Sequence, residues 1–444
     1  MRTPLLLLSI LLLLSGLVLP AALAAGNTQL SPAPYLNADG ALAPPKNVSG
    51  SLDLAGWNVQ LDPARGPLFS PARRGQDAPF SGSSEWSALG SNGAGNGALG
   101  SGVGAVAVLG GDVYVGGSFT DVSNSGTTLG AADYIAKWDG SNWSSLGSNG
   151  AGNGALNNTV LALVVSGSDL FVGGRFTNVN NNGTALTAAD YIAKWDGANW
   201  SALGSNGAGD GALGVDSEVH ALTVNGSDLV VGGGFANVNN NGTVLGAADF
   251  IAKWDGTNWS SLGSNGAGGG SLTNAVHAIA VSGGNVYVGG DFTDVNNHGT
   301  VLGEADYLAK WDGANWSALG SNGAGNGSLN LTVWALVFSG ADLVAGGQFY
   351  GVNNNGTELY AADYIAKWDG TNWSALGSGI GGENSLNGVV YTLALDGADL
   401  YVGGDFTDVA NNGATLGAAD YIAKWDGTNW SSLGSNGAGN GSLN

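Results

Sequence analysis

YIAKWDGSNWSSLG, residues 134–147, is the stretch that decides the fold, because it returns almost letter for letter along the chain. Its first tryptophan, Trp138, recurs as Trp195, Trp254, Trp311, Trp368 and Trp425, in steps of 57, 59, 57, 57 and 57 residues. A period of this length, repeated six times, indicates an array of one supersecondary unit. The repeat therefore overrides the expectation of about three ordinary domains for a chain of this length.

Each repeat divides into four predicted strands, as the second repeat illustrates. Residues 160–165 form an apolar run (strand a), and residues 169–176 form a second run that ends in a Gly pair and Arg-Phe (strand b). A polar loop at 177–189 precedes residues 191–195 (strand c), and residues 200–204 follow as strand d. Asp196-Gly197 between strands c and d is a strong hairpin signal. No segment shows a helical apolar period.

Four antiparallel strands in each of six repeats predict an all-β fold, a β-propeller of six full four-stranded blades. The repeat also resembles the Kelch-type (galactose-oxidase-like) propeller repeat, in the form found in secreted bacterial arrays. The residues that carry this resemblance in the first unit are Gly116-Gly117, Trp138-Asp139 and Trp143. Their equivalents recur in order over about residues 86–434, and the resemblance implies wedge-shaped blades around an axis.

The number of blades in the ring is left open by the sequence. The Trp-Ser-Ala/Ser-Leu-Gly motif of strand d occurs once more at Trp86, before the first full repeat. Residues 441–444 match residues 327–330, where another strand a would begin. We therefore expect either six blades or a truncated seven-bladed ring whose last blade would take strand d from residues 86–90.

Composition divides the chain into three parts. Residues 1–25 have a basic start, a short apolar run and small residues at the end, which is typical of a secretory signal peptide. The alternative is an uncleaved membrane anchor, because the apolar run is near the lower length limit of a spanning helix. Residues 26–84 hold most of the prolines and are predicted to form an extended linker, with one short strand within 52–61. Residues 85–444 form the propeller repeat domain. The mature chain is thus expected to be secreted or attached to the cell surface, without a membrane span.

Charge and residue usage exclude several classes of function. The formal net charge is −22, with 12 basic residues, which argues against nucleic-acid binding. The absence of cysteine excludes disulfides, a thiol nucleophile and the thioether-linked copper site of a galactose oxidase. We expect a monomer. The repeated lysine of strand c, Lys137 in the first unit, is predicted to pair with the flanking Asp133 and Asp139.

Two inner positions break the near identity of the repeats. The second residue of strand a reads Gly104, Leu161, His220, His277, Trp334 and Tyr391, and the residue after the Gly pair reads Ser118, Arg175, Gly234, Asp291, Gln348 and Asp405. Strand a should be innermost, so both sets should lie at the mouth of the central channel. The predicted ligand-binding residues are His220, His277, Trp334, Tyr391, Arg175, Asp291, Gln348 and Asp405. The alternative is drift at tolerant positions.

The loops between strands b and c contain a second candidate site. Residues 294–299 and 408–413 begin like the D-x-[DN]-x-[DN]-G pattern of a calcium loop, and an aspartate recurs further on. The predicted ligands for weak Ca²⁺ binding are Asp294, Asn296, His298, Asp306, Asp408, Asn412 and Asp420. The alternative is that side chains satisfy the loop's own backbone as Asx turns. No other cofactor is expected.

Three functional hypotheses follow. The first is a non-catalytic binding or adhesion scaffold for a protein or an extracellular polymer, favoured because the blades are almost identical. The second is a multivalent lectin with one carbohydrate site in each blade. The third is an extracellular propeller enzyme, a polysaccharide hydrolase or lyase, with Asp216 and Glu218 as candidate acids.

Overall fold

The computed structural model describes residues 87–443 and the backbone of four short strands that precede them. The chain forms two compact units, Met1–Ser81 and Gly82–Asn444. The short strands of the first unit are Gln29–Leu30, Ser51–Leu52, Trp57–Asp62 and Gly66–Pro71, and the last two pair in an antiparallel hairpin. The predicted signal peptide and most of the predicted linker lie outside the described residues.

The second unit is a propeller ring of six four-stranded antiparallel blades, which confirms the predicted fold class. The strands of each blade pair in the order a-b-c-d. Strand a is Val103–Leu109, Val160–Ser166, Glu218–Asn225, Val276–Ser282, Val333–Ser339 and Val390–Asp396 in blades one to six. Strand b is Asp112–Gly117, Asp169–Gly174, Asp228–Gly234, Asn285–Gly290, Asp342–Gly347 and Asp399–Gly404.

The outer half of each blade is formed by the two shorter strands. Strand c is Ile135–Trp138, Ile192–Trp195, Ile251–Trp254, Leu308–Trp311, Ile365–Trp368 and Ile422–Trp425. Strand d is Trp143–Ser145, Trp200–Ala202, Trp259–Ser261, Trp316–Ala318, Trp373–Ala375 and Trp430–Ser432. Strands a of consecutive blades pack against each other from blade one to blade six, so strand a is innermost.

The predicted polar loop between strands b and c contains a two-stranded hairpin that the sequence analysis missed. The hairpins pair Val122–Asn124 with Thr127–Leu129, Val179–Asn181 with Thr184–Leu186, Val238–Asn240 with Thr243–Leu245, Val295–Asn297 with Thr300–Leu302, Val352–Asn354 with Thr357–Leu359, and Val409–Asn411 with Ala414–Leu416. In the second blade the turn is Asn182-Gly183, with φ of +50° and +93°. Both values are left-handed, as a type I′ turn requires.

The turn between strands c and d is the Asp-Gly hairpin that the sequence predicted. In the first blade, the Asp139 carboxylate accepts hydrogen bonds from the backbone N–H groups of Asn142 and Ser141, at 2.7 and 2.8 Å. These bonds favour the ionised form and hold the pKa of Asp139 below its ordinary value. The same turn recurs at Asp196, Asp255, Asp312, Asp369 and Asp426.

Consecutive blades interlock through a valine and a glycine. Val219, the second residue of strand a in blade three, is 0% exposed and lies over Gly173 of blade two. A Cβ on Gly173 would come within 2.4 Å of the Val219 side chain. The first glycine of the pair therefore makes room for a valine of the next blade. Only glycine fits there, because any Cβ would clash with a fully packed neighbour.

The tryptophan of strand d joins each blade to the one before it. In blade five, the Trp373 Nε1–H donates to the Leu319 backbone carbonyl of blade four at 2.8 Å, and Trp373 is 3% exposed. Corresponding bonds run from Trp200 to Leu146 and from Trp430 to Leu376. The burial of tryptophan between blades is thus accompanied by a buried hydrogen bond, which an indole ring can donate and a phenyl ring cannot.

The pairing predicted for the strand-c lysine is wrong. Lys137 Nζ lies 2.8 Å from Asp112 at the start of strand b, and neither Asp133 nor Asp139 is its partner. Register explains this result, since Lys137 stands opposite Tyr114, two residues from Asp112 on the same face. Blade four has Asn285 at the aspartate position, and there Lys310 Nζ lies 5.9 Å from the centre of the Tyr287 ring.

Helical structure is minimal in the part of the chain that the structure describes. Its 3₁₀ turns are Tyr360–Ala362 and Ile380–Gly382. No helix within residues 87–443 has the length and apolar character needed to cross a membrane.

Replacing Trp316 by Phe should destabilise the ring. Trp316 Nε1 donates to the Leu262 carbonyl at 2.8 Å, and the phenyl ring would leave that buried acceptor without a partner. We expect the free energy of unfolding to fall by about 2–4 kcal/mol, measured by urea denaturation. Trp311→Phe is the matched control, since its indole packs on Trp316 at 5.3 Å between ring centres but is only partly buried. Equal losses for the two variants would contradict the role of the hydrogen bond.

Candidate functional site at the channel mouth

The variable second residue of strand a is the extra residue of a β-bulge in every blade. In blade three, Val219 pairs with Gly233 and Ala221 pairs with Gly232, so His220 between them has no partner in register. The same shift surrounds His277, Trp334 and Tyr391 in the next three blades. A bulge turns a side chain away from the regular alternation of a strand. The fold therefore presents one residue per blade to the channel, at the end where strand a begins.

Four of these residues form a continuous row of rings across blades three to six, which we call the ring ladder: His220, His277, Trp334 and Tyr391. The imidazoles of His220 and His277 stack with centres 4.9 Å apart and planes 16° apart. His277 and Trp334 lie 4.2 Å apart, and Trp334 meets Tyr391 edge-on at 6.4 Å. Tyr391 is the accessible end of the ladder, with 46% of its surface exposed.

Carboxylates hold the ladder in place on its polar side. His220 Nε2 lies 2.9 Å from Glu218 Oε2, and Arg175 of the preceding blade donates to the same oxygen at 3.0 Å. His277 Nε2 lies 2.8 Å from Asp291 Oδ2. Because a carboxylate accepts, both imidazoles carry a proton on Nε2. Each acid therefore fixes the orientation of one ring.

Two further contacts complete the polar side of the ladder. The Thr332 hydroxyl of blade five donates to Asp291 Oδ1 at 2.5 Å. The Tyr391 hydroxyl donates to Asp405 Oδ2 at 2.7 Å, and this bond raises the pKa of the phenol. Tyr391 thus stays protonated and presents a neutral ring beside an acid.

The electrostatics of the site keep two acids ionised and one imidazole neutral. Burial raises the pKa of Glu218, but the hydrogen bonds from His220 and Arg175 outweigh it and hold the pKa below its ordinary value. Burial likewise raises the pKa of Asp291, while Thr332 and His277 lower it further than that, so the net direction is down. For His277 burial dominates over the attraction of Asp291, and the pKa is lowered.

The structure brings seven of the eight predicted binding residues into one network. Arg175, His220, His277, Asp291, Trp334, Tyr391 and Asp405 are joined by the hydrogen bonds and ring contacts above. Gln348 is different, since its contact with the described part of the chain is a backbone one, its N–H donating to the Thr332 carbonyl at 2.9 Å. Glu218 belongs to the site as a holder of His220, although the sequence suggested it only as a catalytic acid. Thr332 was not predicted, although it lies at the repeat position of Glu218, just before the strand-a valine, and this position also varies between blades.

Two polar atoms of the ladder are buried without a hydrogen-bond partner among the described residues. They are His220 Nδ1, an acceptor in the tautomer assigned above, and Trp334 Nε1, a donor. An unsatisfied buried polar atom costs free energy, so sequences optimised only for folding tend to avoid it. The ladder residues are therefore not the most stabilising choice for the inner rim, and this favours a functional reason for their presence.

The hairpins between strands b and c, which carry the predicted calcium ligands, use their Asp and Asn side-chain oxygens to accept hydrogen bonds from backbone N–H groups. Asp306 accepts from Asp294 N through Oδ1 and from Gly327 N through Oδ2, at 2.9 and 3.2 Å. Asn296 Oδ1 accepts from Gly299 N, as in an Asx turn, and His298 Nε2 lies 3.0 Å from the Ala314 carbonyl. The arrangement is the one that the Asx-turn alternative predicted.

The last blade repeats this pattern. Asp420 accepts from Asp408 N and from Gly441 N, both at 3.1 Å, and Asn412 Nδ2 donates to the Thr428 carbonyl at 3.4 Å. Within residues 87–443, no three acidic, histidine or cysteine side chains cluster closely enough to hold a metal ion. Calcium binding by these hairpins stays a prediction that the geometry does not favour.

Comparison with known proteins adds little beyond the fold. No family model matches the chain, and no curated protein matches it. The Kelch-type resemblance of the repeat therefore stays a prediction, whereas the propeller ring is observed directly.

Several solved structures are similar to the chain at low identity. The computationally designed Ika8 protein is 16% identical, with a TM-score of 0.35, over 74% of this chain and 95% of that one. The GH74 enzyme of Niastella koreensis is 18% identical, with a TM-score of 0.40, over 75% of this chain and 45% of that one. This chain thus spans less than half of that enzyme. Similarities at these TM-scores carry no argument about function.

The stability of the protein should fall as the pH drops below about 6.5, in part because of His277. Its pKa is lowered from 6.5 by folding, so below pH 6.5 the unfolded chain binds a proton that the folded chain does not. The contribution is fully present above pH 6.5 and is lost as the pH falls towards the lowered folded pKa, by at most about 1.4 kcal/mol per pH unit. Groups facing His277 are Asp291, His220 and Glu218, and both acids titrate well below this window.

His277→Phe keeps a ring in the ladder and removes this titration. The free energy of unfolding, measured with urea between pH 5 and 8, should therefore change less with pH in the variant than in the parent. The difference between the two proteins at pH 8 measures the part of the effect that does not come from titration. An equal pH dependence of the unfolding free energy in the variant and the parent would contradict the assignment of this titration to His277.

Calcium should not stabilise the hairpins. Because Asp306 and Asp420 already accept two backbone N–H bonds each, a cation would have to compete with them. Thermal melting in millimolar Ca²⁺ and in excess chelator should therefore coincide. A melting temperature that rises with Ca²⁺, and that loses this rise in Asp306→Asn, would restore the calcium hypothesis.

Proposed function

We propose that this protein is an exported, non-catalytic β-propeller that binds a neutral polysaccharide at the mouth of its central channel. The observation that carries the proposal is the ring ladder. Blades that repeat nearly letter for letter elsewhere differ at the bulge position of strand a, and four consecutive differences at that position join into a single row of rings.

The chemistry of the ladder fits a sugar better than other polymers. Ligand sites combine aromatic surface with a few placed polar groups, and Tyr391 with Asp405 supplies both at the exposed end of the row. A carboxylate accepts hydrogen bonds from hydroxyl groups, which a polysaccharide offers in quantity. The net charge of −22 and the three ladder acids would repel an anionic polymer, so the ligand should be neutral.

A lectin with one site in every blade is less well supported. Such a site needs a repeated aromatic ring that a sugar can reach. Each strand-c tryptophan is at most partly exposed and packs on the strand-d tryptophan of its own blade, at 5.2–5.4 Å between ring centres. The strand-d tryptophans are buried. Trp200, Trp259 and Trp316 are each 2% exposed and are engaged with the preceding blade. The ladder, in contrast, occurs once in the ring. This favours one site per chain.

A hydrolase is also less well supported by the electrostatics. Glycoside hydrolysis uses one carboxyl group that is protonated at working pH and one that is ionised. Glu218 and Asp291 both have lowered pKa values, so neither is suited to donate a proton. Their hydrogen bonds to Arg175, His220, His277 and Thr332 instead suit them to hold the rings. These considerations favour binding without catalysis.

Export to the cell surface or medium completes the proposal. Its support is the composition of residues 1–25, which is typical of a secretory signal peptide. An acidic, weakly charged surface suits a monomer that remains soluble there.

Binding should weaken when the exposed end of the ladder is removed. Tyr391→Ala deletes the accessible ring at that end, and truncation of such an aromatic contact costs about 2 kcal/mol, or about 30-fold in Kd. A glycan array would identify the neutral ligand, and calorimetry with the parent and the variant would measure its affinity. Tyr360→Ala is the control, because Tyr360 is 66% exposed and lies outside the ladder.

The stoichiometry separates the hypotheses. One site per chain, weakened by Tyr391→Ala and unaffected by Tyr360→Ala, is the expected result. About six equivalent sites per chain would instead support the lectin. Failure to retain any neutral glycan, or equal affinity in the parent and Tyr391→Ala, would overturn the proposal.

A further inference from the structure

One junction of the ring lacks the interlock that joins the other blades. The strand-a valines that pack over the preceding blade in blades two to six, Val160, Val219, Val276, Val333 and Val390, are all 0% exposed. Their equivalent in blade one, Val103, is 49% exposed. Val106 and Val108 on the same strand are 58% and 63% exposed. Blade one therefore presents an uncovered apolar face where a preceding blade would pack.

Blade six presents the other half of the same junction. In blades one to five, a Cβ on the first glycine of the pair would strike the valine of the following blade. A Cβ on Gly403 of blade six would meet only atoms of its own blade, the nearest being Thr392 Cγ2. Ile422 is partly exposed, whereas its equivalents in the five preceding blades are at most 3% exposed. We call the space over the first glycine of the pair the slot. Among the described residues, no valine fills the slot of blade six, and Val103 of blade one has no preceding slot to fill.

The outer part of this junction is already in place. Trp143 Nε1 of blade one donates to the Leu89 carbonyl at 2.9 Å, as Trp200 of blade two does to Leu146 at the end of the preceding strand d. Ser123 N donates to the Ala98 carbonyl, as Asn180 N does to Ala155 in blade two. Residues 89–98 therefore occupy the place that the end of strand d and the following connector occupy elsewhere.

On the blade-six side of the junction, the connector that precedes a strand a elsewhere in the ring is also in place. Gly441 N donates to Asp420 Oδ2 at 3.1 Å, as Gly327 N does to Asp306 Oδ2 at 3.2 Å before strand a of blade five. What neither side supplies, within the described residues, is the packing of strands a, b and c between them. We call this gap the seam, with Val103 on one wall and Gly403 on the other.

We propose that the seam is a docking site for strands a to c of one further blade of this same repeat. The chemistry of the partner follows from the interface already present five times in the ring: a valine for the Gly403 slot and a glycine pair to receive Val103. A second copy of the whole chain covers one wall and leaves the same two walls open at the outer ends of the pair. One added blade covers both walls at once. This inference does not depend on the polysaccharide ligand.

The test extends the chain by one blade in register. Residues 441–444 are identical to residues 327–330, so a copy of residues 331–372 joined after Asn444 continues the repeat with strands a, b and c of blade five. Strand d would come from residues 86–90, which carry the same motif. In the parent, Val103→Asp should shift the melting temperature little, because Val103 is half exposed. In the extended chain, the same substitution should lower it by several degrees, because Val103 is then buried.

Controls and a second measurement keep the result decisive. Val160→Asp should destabilise both proteins strongly, since Val160 is buried in both. Hydrogen exchange should slow in Val103–Leu109 of the extended chain but not of the parent. If the extended chain fails to fold, a labelled peptide of residues 331–372 is titrated into the parent. Saturable binding of one peptide per chain, lost in Val103→Asp, is the expected result.

Three outcomes would overturn the proposal. One is an equally small effect of Val103→Asp in the parent and in the folded extended chain. Another is absence of peptide binding when the extension does not fold. The third is a parent that light scattering shows to be oligomeric and that Val103→Asp converts to monomer, which would make a second copy the occupant of the seam.

Discussion

The contact on which the ring depends is the valine of one blade set over the glycine of the blade before it. Val219 over Gly173 and its repeats bring neighbouring backbones close enough to exclude water along strand a. The buried bond from tryptophan to the preceding leucine carbonyl ties the outer edges together. Inner and outer contacts thus fix the angle between blades, and a single misfitting side chain at the glycine would disturb both.

The candidate site is a by-product of this geometry. Packing valine over glycine leaves one bulged residue in each strand a, and that residue faces the channel without any duty in the blade. It can change while the interlock stays constant. His220, His277, Trp334 and Tyr391 occupy this free position, and Glu218, Asp291 and Asp405 orient three of them. A uniform scaffold can in this way carry one distinct site.

Sequence patterns predicted the strands because each is marked by local chemistry: alternation, the Asp-Gly turn and the Gly pair. The Asn182-Gly183 dipeptide is also a local signal for a hairpin turn. The loops between strands b and c resemble calcium loops as well, and the prediction of metal ligands there did not include the hairpin. The Asp112 partner of Lys137 and the Thr332 contact with Asp291 depend on cross-strand register and on packing between blades. Neither is a local property. The ladder positions were predictable because they break the repeat, whereas their mutual stacking distances were not.

The tryptophan bonds all run in one direction, from each blade to the one before it, and this polarity has a mechanical consequence. A pulling force applied at the chain ends would load the junctions in series, and the blade with the least covered wall would detach first. Each detached blade releases a repeat of about 57 residues, or about 200 Å of extended chain.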